Sequence, residues 1–155
     1  VVQVWSNGDI QLANAVGSAD VIVDVVGYFE GTSGSVFIPL PPTRVLDDRT
    51  GTGLAGPWLP DTSRVLPVAG RSPVPSGATA LVANVTATNP TAGSFVTVFP
   101  SDQNRPVSSN VNFGPGATVA NLTVTALGTD GVLGLYNRAG TVDLVLDAVG
   151  YFAPA

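Results

Sequence analysis

Cysteine, methionine, histidine and lysine are all missing from this 155-residue chain. Their absence removes disulfides, thiolate nucleophiles, imidazole bases, Schiff-base lysines and the usual zinc ligands together. No cofactor is expected on what remains. All six basic residues are Arg, against ten Asp and one Glu, for a formal charge of −5. With no basic face to neutralise a phosphate backbone, nucleic acid is not an expected partner. The longest apolar stretch is broken by Asp24 and is too short to cross a bilayer, so membrane insertion is not expected either. No window sustains a 3.6-residue apolar period, which argues against helices and excludes a parallel α/β architecture.

What the chain does have is eighteen Gly and thirteen Pro set among dense Val, Thr, Leu and Ala. That is the composition of many short strands joined by tight turns. Strands are predicted at Thr43 to Leu46, Arg64 to Ala69, Ala78 to Thr88, Ser94 to Phe99, Val107 to Phe113, Thr118 to Leu127, Val132 to Tyr136 and Val142 to Phe152. Three more are predicted upstream, at Val1 to Trp5, Asp9 to Ala13 and Asp20 to Phe29. Strands at this spacing, without helices between them, predict an all-β antiparallel sandwich of jelly-roll or immunoglobulin-like type.

Residues 8–29 reappear without a gap as residues 131–152, an offset of 123 residues. Gly8, Leu12, Asn14, Gly17, Asp20, Asp24, Val26, Gly27, Tyr28 and Phe29 match Gly131, Leu135, Asn137, Gly140, Asp143, Asp147, Val149, Gly150, Tyr151 and Phe152. A period this long is the length of a domain rather than a solenoid step. Residues 1–31 are therefore expected to be the C-terminal β-meander of a preceding repeat, and 32–155 one complete sandwich module. The Gly31–Ser35 link, with Pro39, Pro41 and Pro42 after it, marks the boundary. No start Met or signal peptide is present, which reads as a segment of a longer or processed chain. A three-stranded meander of about 30 residues buries too little surface to stand alone. Three options follow for residues 1–31: packing on the following module, completing a sheet edge of a second molecule, or a domain boundary offset from the repeat boundary.

Alternation along the last strand puts Val142, Leu144, Leu146, Ala148, Gly150 and Phe152 on the core face. Asp143, Val145, Asp147, Val149 and Tyr151 fall on the other. In Ala78 to Thr88, Leu81, Ala83, Val85 and Ala87 oppose Asn84 and its neighbours, so Asn84 needs a hydrogen-bonded setting. The Thr86/Thr88 and Thr123/Thr125 pairs read as the outer faces of ordinary strands. Asn84-Val85-Thr86 and Asn121-Leu122-Thr123 match a glycosylation sequon inside predicted strands, where acceptors are poor.

The most polar stretch is Thr43 to Gly51. Asp47 and Asp48 offer hard oxygens for calcium, but calcium takes six to eight ligands and no D-x-D-x-D-G series is present. The alternative is a structural strut in which Arg44 or Arg49 bridges Asp147 and neutralises a half-buried carboxylate. Asp47 and Asp147 could form a glycosidase pair. Each Asp has an equally good turn or salt-bridge explanation, and the serines have no His to activate them, so catalysis is not expected. Trp5, Trp58 and Tyr136 are candidates for stacking on a sugar, with Trp58 alternatively a lid over the core.

The combination of Pro42-Thr43-Arg44-Val45-Leu46-Asp47, Arg49-Thr50-Gly51, Asn84-Val85-Thr86, Thr97-Val98-Phe99-Pro100, Asn110-Val111-Asn112-Phe113 and Asp147 to Phe152 resembles an all-β module. That module recurs in tandem, or beside cell-wall hydrolases and other exported domains, in secreted and cell-wall-associated proteins of high-GC Gram-positive bacteria. The likeness covers about residues 36–152, with Asp48 where the usual LDTRTG wording has Thr. It implies a repeated extracellular module and no reaction. Two functions are thus expected in order: a structural or adhesive repeat whose partners are adjacent modules of the same or identical chains, and a carbohydrate-binding module for a cell-wall or environmental glycan.

Overall fold

In a computed structural model, described over residues 2–31 and 33–155, eight strands form and no helix is found among the described residues. They are β1 (Ser35–Asp47), β2 (Thr62–Pro67), β3 (Ala80–Thr88), β4 (Ser94–Pro100), β5 (Val111–Phe113), β6 (Val119–Ala126), β7 (Val132–Asn137) and β8 (Asp143–Pro154). Two four-stranded antiparallel sheets result, in the orders β1-β8-β3-β6 and β2-β7-β4-β5. β1 pairs with β8, β2 with β7, β3 with β6 and β4 with β5. The chain is thus one long hairpin reversing between β4 and β5 and rolled up on itself. Two further seams, β3 with β8 and β4 with β7, close each sheet. This is the jelly-roll arrangement rather than the immunoglobulin one.

The core lies between the sheets, with Leu46, Trp58, Val85, Val96, Leu135, Val142, Leu144 and Leu146 wholly buried. Period-2 alternation explains the placement: Leu81, Ala83, Val85 and Ala87 all point inward from β3. β1 is an edge strand and carries Pro39, Pro41 and Pro42, which cannot donate to a further strand.

The segment predicted as a meander at the C-terminal end is not one. β6 and β8 lie in one sheet and β7 in the other, so none of the three pairs with its sequence neighbour. The turns between them were legible, but a turn specifies only that the chain reverses. Leu133 and Leu135 of β7 face the same interior as Leu144 and Leu146 of β8, and two strands that meet through side chains form an arch rather than a hairpin.

Residues 2–31 contain no strand, although strands were predicted at Asp9 to Ala13 and Asp20 to Phe29. The strand expected at Val1 to Trp5 includes Val1, which lies outside the described residues. Ile22 and Val25 are each 87% exposed. A strand pair needs backbone partners on both sides and an apolar face to cover. The jelly roll is already complete without this segment, so none is on offer. Among the described residues its end meets the sandwich: the Phe29 ring centroid lies 6.0 Å from that of Phe152, and Val26 to Glu30 line an open cavity with Thr79, Ala80, Val124 and Ala126.

β8 departs from simple alternation at one point. Gly150 is opposite Pro39 and Val82, while Ala148 is opposite Thr43 and Ala83, so Val149 is a bulge residue against β3, and on the other side Leu40, Pro41 and Pro42 of β1 bulge opposite it. The bulge turns the strand over: Tyr151 packs on the core, whereas Gly150 and Phe152 face outward beneath Phe37. The regular reading, which placed Gly150 and Phe152 inside and Tyr151 outside, fails for that reason. Thr123 and Thr125 likewise point inward rather than out, opposite Ala83 and Leu81, and Thr123 Oγ1 donates to the Ala83 carbonyl at 3.3 Å.

Candidate functional site

Where β1 leaves the sheet, Thr43 to Gly51 builds a ladder of alternating charges. Arg44 grips Asp147 with two prongs, Nε to Oδ1 at 2.9 Å and Nη2 to Oδ2 at 3.2 Å. Its remaining nitrogen reaches Asp47 Oδ2 at 3.1 Å. Arg49 then holds Asp47 by a second two-pronged contact, both bonds 2.8 Å. Antiparallel pairing fixes the first contact, because Arg44 and Asp147 are cross-strand neighbours. A tight loop fixes the second, since Thr50 and Thr52 both donate their amides to the Asp47 carbonyl. All four candidates thus join in one chain, in which Arg44 bridges Asp147 and Arg49 serves Asp47 instead. The Arg49 guanidinium is the main cause holding the Asp47 carboxyl down to about 2, with Arg44 adding to it. Hydrogen bonding to Asp147 raises the Arg44 guanidinium.

Asp48 is the exception in this ladder. It is buried, its Oδ2 accepts the Leu144 amide hydrogen bond at 2.9 Å, and its Oδ1 has no partner. Burial pushes its carboxyl up to about 6, and Asp143 and Asp47 push the same way. Among the described residues no three acidic side chains converge in a way that could hold a metal ion.

The three aromatic candidates occupy different settings. Trp58 is wholly buried, bridged to Val142 through both backbone groups, and its indole Nε1 donates to the Leu135 carbonyl at 3.0 Å. The Arg64 guanidinium covers the ring at 4.3 Å from its centroid and is itself held by the Gly56 and Ala55 carbonyls. Trp58 is a plug in the core, and no face of it is free to stack on a sugar. Tyr136 is also buried: its hydroxyl donates to Asp61, and the Arg105 guanidinium lies 4.0 Å above its ring. Trp5 remains exposed, in a turn rather than on a sheet. Sequence reading missed the arginine caps on Trp58 and Tyr136, because Arg64 and Arg105 sit in stretches with no motif. It also missed Asn137, although its match to Asn14 was a signal. Asn137 takes a hydrogen bond from Ser94 and donates to the carbonyls of Leu59 and Gly140.

The repeat is visible in three dimensions as matching turns. Trp5 donates its amide to Asp9 and Gly8 to Trp5, as Gly128 does to Val132 and Gly131 to Gly128. Asn14 Nδ2 donates to the Gly17 carbonyl at 2.9 Å, as Asn137 Nδ2 does to Gly140 at 2.7 Å. Local chemistry has therefore folded both copies alike at their turns. They differ only where long-range partners are required.

The fold places this chain among all-β antiparallel sandwiches of jelly-roll order. No protein-family model matches the chain, and no curated protein matches it.

Proposed function

We propose that this chain is a non-catalytic extracellular module of a structural or adhesive protein, one that spaces, displays or assembles with like modules outside the cell. The supporting observation is the repeat itself: residues 5–17 carry the same turns as 128–140, bonded in the same way, at a domain-length offset. A chain that holds the elements of two like sandwiches in series suits an array. The proline-bearing edge of β1 discourages pairing along that edge. The Asp147–Arg44–Asp47–Arg49 ladder has its charges satisfied within the module, as a strut does.

Surface labelling of intact source cells with an antibody to the sandwich is expected to be positive. A glycan array is expected to be silent. Labelling only after lysis, or glycan binding lost in Trp5→Ala, would overturn the reading.

A further inference from the structure

In the sandwich, β7 and β8 are not edge strands. β7 lies between β2 and β4, and β8 between β1 and β3, so residues 131–152 form an arch that supplies a central strand to each sheet. Residues 8–29 keep what that position demands. Ile10 and Leu12 stand for Leu133 and Leu135, Val21 and Val23 for Leu144 and Leu146, and Tyr28 for Tyr151. In the second copy all of the interior leucines are buried; in the first, every counterpart is at least 41% exposed.

Two residues of the first copy make physical sense only with an absent neighbour. A Cβ on Gly150 would stand 2.3 Å from the Phe37 ring, whereas Gly27 has nothing within 4 Å and an ordinary backbone conformation. Asp147 is held by Arg44, whereas Asp24, its counterpart, has no hydrogen-bond or ion-pair partner among the described residues. A glycine with no crowding and a carboxylate within an exposed apolar run are the marks of a β8 strand waiting for β1.

The acceptor is not this chain's own sandwich. Gln11 falls at the place of Gly134, where even a Cβ would lie 2.7 Å from the Phe99 ring. Val25 falls at the place of Ala148, which is wholly buried. Both additions overpack a filled site.

We propose that residues 8–29 are the two central strands of a second jelly roll, held for a six-stranded acceptor. That acceptor carries the equivalents of Phe37 and Arg44 but leaves more room opposite Gln11 and Val25. This rests on the array reading above and makes it specific: each module is completed by its own arch through the middle of both sheets, and steric mismatch stops a module from accepting the copy that belongs to another.

The test disables the resident arch in the full chain. Leu144→Asp/Leu146→Asp should be unfolded, although residues 8–29 are intact. Adding Gln11→Gly/Val25→Ala removes the two clashes. It should restore a folded sandwich with amide exchange across residues 9–29 slowed by roughly 100-fold or more, while 132–152 become unprotected. Adding Val21→Asp/Val23→Asp should abolish that recovery. Phe99→Ala, in place of Gln11→Gly, approaches the same clash from the acceptor side. Failure of both rescued variants to protect residues 9–29, or refolding of Leu144→Asp/Leu146→Asp without either repair, overturns the proposal. The array reading is judged separately, by cell labelling and glycan binding.

Discussion

Asp48 accepts the Leu144 amide hydrogen bond through one carboxylate oxygen, while its other oxygen is buried with no donor in reach. A carboxyl placed so is more stable protonated, and its folded value of about 6 lies above the ordinary 3.8. Between those two pH values the folded state holds a proton that the unfolded state has released, so stability falls as pH rises. Asp47 acts in the opposite sense: its folded value near 2 gives stability present above pH 3.8 and lost as pH falls through 2. We expect maximal stability near pH 4, with a loss on the order of 2 kcal/mol by pH 8. Asp48→Asn keeps an acceptor for the Leu144 amide and cannot ionise. It should be more stable than wild type by about 1 kcal/mol at pH 8, an advantage gone by pH 4. Urea unfolding across pH checks both statements, and a stability rising between pH 5 and 7 would contradict them.

Arg49→Gln should release Asp47 upward toward the ordinary carboxylate range, because the Arg49 guanidinium is the largest cause of its low value. Arg44→Gln should move it less. Carboxyl carbon chemical shifts through a pH titration separate the two. Equal displacements in both variants would mean that the ladder does not have the asymmetry its two-pronged bonds describe.

Much of this fold was legible in the chain. Seven of the eight strands fall within or close to their predicted stretches, because period-2 alternation and Gly/Pro punctuation are local signals, whereas β1 begins at Ser35, before the predicted Thr43, and runs through the prolines read as a boundary. The topology was not, since nothing in Leu127 to Gly131 or in Arg138 to Val142 states whether the strands on either side pair or face each other. The Val149 bulge escaped for a related reason: it is set by the register of β8 against β3, and a single strand does not carry that information. At the candidate site, the composition of the Arg/Asp ladder was readable, but which Arg reaches Asp147 depended on the register of β1 on β8. A place for Trp58 over the core was one of its two readings, but burial of Tyr136 was not readable, because the Arg105 guanidinium that covers it arrives from a distant segment.

Trp58 plugs the core with its indole bonded to the Leu135 carbonyl. Trp58→Ala should cost about 3–5 kcal/mol through the cavity it opens. Trp58→Phe keeps most of the volume but leaves the carbonyl without its donor, and should cost about 1–3 kcal/mol. Denaturant unfolding monitored by circular dichroism gives both values. A Trp58→Ala change within 1 kcal/mol of wild type would show that the side chain is a surface group after all.

Gly150→Ala brings a methyl against the Phe37 ring and within 2.9 Å of the Ile38 carbonyl oxygen. We expect a loss of about 1–3 kcal/mol, with part of it recovered by Phe37→Ala. Gly27→Ala, at the matching position of the first copy, meets nothing within 4 Å and should stay within about 0.5 kcal/mol of wild type. Identical residues in identical sequence surroundings should therefore respond differently. Equal effects at the two sites would show that Gly27 is already packed.

Deletion of residues 1–31 separates the sandwich from its unpaired copy. The two sheets draw no strand from the deleted segment, and what goes among the described residues is the Phe29–Phe152 ring pair and the open cavity that Val26 to Glu30 line against Thr79, Ala80, Val124 and Ala126. The unfolding free energy should therefore change by no more than about 0.5 kcal/mol. In the full chain, amides of residues 9–29 should exchange without the protection seen across β7 and β8, even though the turns at Asn14 and Asn137 are bonded alike. A deletion that costs several kcal/mol would mean that this segment packs on the sandwich over far more than one aromatic contact. Exposed valines at positions 21, 23 and 25 could not then be waiting for a different acceptor.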